Sequence, residues 1–100
     1  MIIHTVLLSP KPETSQEEIA TALSHVRELQ QTIPGILDVQ AGENLNDSNS
    51  KGFTHGFVMQ FVDAEHLKAY APHPAHKVVS DELVRISQNI IDFDLGADNA

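Results

Sequence analysis

Apolar and polar positions along the chain change period several times, and each change marks an element. Residues 2–8, IIHTVLL, are β-branched and leucine-rich and are stopped by Ser9-Pro10 and Pro12, which predicts a strand. Ser15-Gln16-Glu17-Glu18 reads as a capping box, where the serine and glutamate side chains satisfy backbone N–H groups that a helix start would otherwise orphan. Ile19, Leu23, Val26, Leu29 and Ile33 follow at helical spacing, and the helix must stop before Pro34. Residues 36–41, ILDVQA, alternate as a second strand, and the polar run from Gly42 to Gly52 predicts a loop. Residues 53–62, FTHGFVMQFV, alternate strictly: Phe53, His55, Phe57, Met59 and Phe61 share one face, and Thr54, Gly56, Val58, Gln60 and Val62 the other. Asp63 is placed to cap a short helix carrying Leu67 and Tyr70. Pro74 suits the first position of another helix running to about Arg85, with His73 as its N-cap. Residues 88–95, QNIIDFDL, predict the last strand, and Gly96–Ala100 a frayed tail.

The order β-α-β-β-α-β, with the second helix broken in two, predicts a ferredoxin-like α+β fold: a four-stranded antiparallel sheet with helices on one face. The whole chain reads as one domain, without repeats or linkers. The uncovered sheet face would carry Ile3, Leu7, Ile36, Val58 and Val62 among Thr5, Gln40, Thr54 and Gln60. That mixture is too apolar to leave wet and too polar for a dry core, so a closed twofold homodimer, sheet against sheet, is expected.

Bulk composition narrows the partners. With 100 residues, 41% of them hydrophobic and 20% charged, the chain is long enough for one modest core. A formal charge of −8 and only six Lys and Arg argue against nucleic acid, which needs a concentrated basic surface. No apolar run reaches membrane-spanning length, and the first twenty residues lack the pattern of a secretory signal. The absence of cysteine excludes disulfides, thiolate nucleophiles and Cys-based metal sites. A cytoplasmic protein is expected.

The stretch YAPHPAHKVVSDEL, residues 70–83, holds the candidate chemistry. Pro72 and Pro74 keep Ala71 and His73 extended, so His73 and His76 do not project side by side as two ligands one helical turn apart would. An ion site would need a carboxylate to join them, and no metal is expected. His76 shares a helical face with Val79, Leu83 and Ile86, which points it toward the core. Its place in the first helical turn and its burial both favour the uncharged imidazole that a general base requires. The alternative is a structural histidine bonded to a neighbouring carbonyl. His4 shares its face with Ile2, Val6 and Leu8, and His55 sits among Phe53, Phe57 and Met59, so both are expected to face the helices, as is Tyr70. Such a convergence predicts a small, mostly apolar pocket with a few hydrogen-bonding points; a satisfied polar network in a filled core would carry the same residues. His25 and His66 fall on polar stretches and are expected in solvent. Asp81 and Arg85, four apart, suggest a weak surface pair. Asp92 and Asp94 alternate with Ile91 and Phe93 and project from the opposite sheet face, whose side the sequence leaves open.

His4, Gly52-Phe53-Thr54-His55, Tyr70 with His73-Pro74-Ala75-His76, and Asp92-Phe93-Asp94 together resemble the stress-responsive A/B barrel (Dabb) domain family over about residues 2–94. The resemblance implies a dimeric α+β barrel, in most members without an assigned reaction. One member it brings in is a plant olivetolic acid cyclase, which closes polyketides without a cofactor. By similarity, His76 takes the role of general base and Tyr70 that of supporting hydrogen-bond donor, with His4, His55, Phe57, His73, Leu23 and Val26 as pocket residues. Leu23 and Val26 stand where the cyclase carries aromatic side chains, and Ser87 where it carries tryptophan, which implies a different substrate. Besides a cofactor-free cyclase, the readings left open are a non-enzymatic stress or assembly protein and a monooxygenase or isomerase of the wider dimeric α+β barrel group.

Overall fold

The computed structural model describes residues 1–97. Its elements are β1 (Ile2–Pro10), α1 (Gln16–Thr32), β2 (Ile36–Glu43), β3 (His55–Phe61), α2 (Ala64–Tyr70), α3 (Pro74–Ile86) and β4 (Ser87–Gly96). The strands form one antiparallel sheet in the order β2-β3-β1-β4, the ferredoxin-like arrangement. β1 and β3 are central, and β2 and β4 are the edges.

Local chemistry sets the helix boundaries. Ser15 and Glu18 complete the capping box of α1 in both directions, and Asp63 accepts from the His66 N–H to cap α2. His73 caps α3, accepting the Ala75 N–H at its Nδ1, with Pro74 as the first helical residue. The inward face of α1, made by Ile19, Ala22, Leu23, Val26 and Leu29, packs with Phe57, Met59 and Phe61 of β3 in the core. Arg27 and Gln30 donate to the Ala41 and Leu37 carbonyls and tie α1 to edge strand β2.

Several boundaries differ from the sequence reading. β2 runs on through Gly42 and Glu43, and β3 begins at His55 rather than Phe53. Gly96 pairs with Ile2 as part of β4, and the Ala97 N–H bonds the Met1 carbonyl, so the expected tail is ordered this far; its last three positions, 98–100, lie outside the described residues. Ile36, expected on the uncovered face, is buried in the helix-covered core. The cause is a register shift between Ile36 and Asp38, which inserts an extra residue and reverses the alternation. Arg85 lies 3.9 Å from Glu18 of α1 rather than pairing with Asp81. His66 is half-buried, its ring packed over Gly35, where a Cβ would come within 2.5 Å of it.

The other sheet face is left uncovered. Leu7, Val58, Val62, Ile91, Phe93 and Leu95 are between 37% and 58% exposed there. Ladder register puts Ile3 opposite Leu95, Thr5 opposite Phe93 and Leu7 opposite Ile91, so the apolar residues form a stripe across β1 and β4. No described helix is long and apolar enough to cross a membrane.

Candidate active site

A cavity of about 520 Å³ opens between the β1/β4 side of the sheet and helices α2 and α3. Its polar lining is His4, Tyr70, His76, Ser80, Asp92 and Asp94. Apolar walls come from Val6, Phe57, Leu67, Val79 and Leu83, and half-exposed Val84 and Ile90 stand at the rim.

Tyr70 ends α2 and is 4% exposed. Its ring is held edge-on by Phe61 at 5.1 Å and His4 at 5.6 Å between centroids, and it faces His76 at 4.3 Å with the planes 49° apart. Burial pushes the phenol's ionisation far upward, and the nearby Asp92 charge adds to this. Tyr70 therefore stays a neutral O–H donor throughout the physiological range.

His76 sits in the first turn of α3, one turn before Val79. Its Nδ1 lies 2.9 Å from the Ala71 carbonyl oxygen. A carbonyl can only accept, so that ring nitrogen carries the hydrogen, and in the neutral imidazole Nε2 is left with the free lone pair. The carbonyl bond foreseen for a structural histidine is thus present, and it also fixes the orientation of the ring. His76 is only half-buried, at the mouth of the cavity rather than inside the core as expected, because its neighbours Ala71 and Pro72 are themselves exposed.

His4 is 8% exposed. Its Nδ1 stands 2.5 Å from Asp94 Oδ1, which fixes the imidazole edge. Ladder pairing explains the contact: His4 is opposite Asp94, and Val6 is opposite Asp92, so both carboxylates lie on the helix-covered face. They are the pocket residues that the sequence alone did not assign. Their alternation with Ile91 and Phe93 was visible, but the pairing that chooses the face was not.

Other expected pocket residues stand elsewhere. His55 is opposite Leu8, four residues along β1 from His4, roughly 13 Å at strand spacing. With Leu23 it lines a separate cavity near Gln16, Arg27 and Glu43, and its Nδ1 is 2.9 Å from Thr54 Oγ1. Val26 is fully buried in the core under α1. His73 is absent from the lining of the large cavity, because its Nδ1 is turned back to cap α3. Among the described residues no three His, Asp or Glu side chains converge as metal ligands, so the His73–His76 ion site lacks a third donor.

Comparison with known proteins places this geometry. A dimeric ferredoxin-like protein of unknown function from Jannaschia sp. CCS1 is 30% identical, with 96% of this chain and 98% of that one covered and a TM-score of 0.85. A Dabb family protein with a ferredoxin-like fold from Mesorhizobium loti is 23% identical over 96% of this chain and 95% of that one, TM-score 0.80. A hydroxynitrile lyase from Passiflora edulis is 19% identical over 99% and 94%, TM-score 0.89. The last two likenesses establish the fold alone. Among curated proteins no match was found. The model of the Stress Responsive A/B Barrel Domain matches residues 2–96, nearly everything from β1 to the end of β4, and the chain belongs to this Dabb family.

Proposed function

We propose that the cavity bordered by Tyr70 and His76 binds a small carbonyl compound and catalyses cofactor-independent proton abstraction from the carbon beside that carbonyl. The observation that carries this reading is the His76 Nδ1 contact with the Ala71 carbonyl, 4.3 Å ring to ring from a phenol that stays protonated. It supplies a lone pair and a hydrogen-bond donor at one cavity mouth.

In this chemistry His76 Nε2 takes the C–H proton and becomes an imidazolium. The C–H electron pair moves into the enolate, whose oxygen accepts the Tyr70 O–H. If the substrate carries a second carbonyl within reach, the enolate carbon attacks it and a carbon–carbon bond closes a ring. The resulting alkoxide recovers the proton from His76, so the step balances without an added oxidant or reductant. This cyclase-like reaction is the leading case of the class. His4, fixed by Asp94, supplies a second polar contact for the substrate.

The working unit in this proposal is a cytoplasmic homodimer. The uncovered apolar stripe across β1 and β4 supports a sheet-to-sheet pairing, as does the dimeric state of the Jannaschia protein. The family's stress-responsive role is proposed as the physiological setting. The test of the catalytic reading is the pair His76→Ala and Tyr70→Phe, which should retain the wild-type melting temperature and lose turnover. A large loss of stability with no activity to lose would instead favour the non-enzymatic stress or assembly reading.

A further inference from the structure

Asp92 belongs to the cavity but has no part in the proton transfer described above. β4 sets it opposite Val6, two residues from Asp94 and on the same side of the sheet. It lines the cavity with Tyr70 and His76, and its charge reaches the Tyr70 phenol. Asp94 is held by the His4 imidazole, whereas no Lys or Arg lines the cavity to pair with Asp92. An entering molecule therefore meets Asp92 as a carboxylate without a cationic partner. The remaining wall is largely Val6, Phe57, Leu67, Val79 and Leu83.

Resting on the reading of this cavity as a substrate site, we infer that Asp92 sets its charge selectivity: compact uncharged carbonyl compounds bearing a hydroxyl are admitted, and carboxylates and phosphates of the same size are turned away. Tyr70 donates to the carbonyl oxygen, and Asp92 accepts the substrate O–H, so one end of the molecule is held by a donor and an acceptor while its apolar body lies along the wall. An anion gains nothing from Asp92 and pays like-charge repulsion. Because β4 is an edge strand in contact with water, screening holds the discrimination to about tenfold.

The probes are benzyl alcohol and benzoate, equal in size and different in charge, titrated at neutral pH against the isotope-labelled protein. Shifts are read at the backbone amides of Val79, Leu83 and Ile90. Wild type and Asp92→Glu are expected to bind benzoate about tenfold more weakly than benzyl alcohol, and Asp92→Asn to bring the two within about twofold. Asp92→Ser is a second neutral variant with the same expected ratio. Equal affinities in wild type, or an unchanged ratio in both neutral variants, overturn the inference while leaving the site intact. Failure of both probes to shift these amides in wild type removes the proposed site itself, and the selectivity with it.

Discussion

His4 Nδ1 and Asp94 Oδ1 stand 2.5 Å apart, joining a buried imidazole on central strand β1 to a carboxylate on edge strand β4. With the His4 N–H donating to the carboxylate the bond is charge-assisted, and it fixes the ring that packs edge-on against Tyr70, Phe57 and Phe61. Asp94→Ala leaves the His4 N–H without its acceptor. Since the carboxylate is itself about half-exposed, the expected loss is about 1 kcal/mol, read from urea unfolding. Unchanged stability would show that the pair orders nothing.

Tyr70 is the sole tyrosine, so tyrosinate absorbance reports this residue alone. Its folded-state ionisation lies above the ordinary 10.0 because of burial first and the Asp92 charge second. For a group raised in this way, the contribution to stability is whole below the unfolded value and falls as pH rises beyond it. Tyrosinate should therefore appear in alkali only together with loss of the folded circular dichroism signal. Ionisation near pH 10 in the folded protein contradicts the buried placement. Tyr70→Phe should keep the fold, whereas Tyr70→Ala should cost about 3–5 kcal/mol, as for other large core deletions.

A second pH effect joins the two long helices. His25 of α1 lies 2.7 Å from Glu82 of α3, and that hydrogen bond, then the Glu82 charge, raises the imidazole above 6.5. The sign follows from linkage: the stabilisation is complete below the unfolded value near 6.5 and disappears as pH climbs through the raised folded value. Both groups are near water, so the effect is small. Wild type should melt above His25→Gln at about pH 5.5 and together with it at about pH 8.5. A constant difference across this interval would contradict the assignment.

Phe93 is 58% exposed in the centre of the uncovered stripe, opposite Thr5 on β1. If two copies close sheet to sheet, a charge there is buried without a partner. Phe93→Asp should run as a folded monomer in light scattering at micromolar concentration, where the wild type is expected to run as a dimer. A wild-type monomer at that concentration contradicts the pairing.

Much of this was legible in the chain. Ser15-Gln-Glu-Glu18, Asp63 and His73-Pro74 named three helix starts, because a cap is a local device that needs no tertiary partner. The inward placement of His4, His55, Phe57 and Tyr70 followed from period alone. What failed depended on register. Ile36 turned inward through a register shift, and His55 ended far along the sheet from His4, although both share a face. Asp92 and Asp94 entered the cavity because β4 pairs with β1 in a particular alignment, which no run of eight residues encodes.

In the proposed reaction His76 Nε2 removes a proton from carbon beside a carbonyl bound against Tyr70. Deuterium incorporation into the methyl group of acetophenone, followed by proton NMR in D2O, addresses it without knowledge of the natural substrate. Wild type is expected to accelerate exchange at least about a hundredfold over buffer, the range of positioned general-base catalysis, with His76→Ala and Tyr70→Phe folded and far slower. Exchange at the same rate with wild type and His76→Ala would contradict the claim.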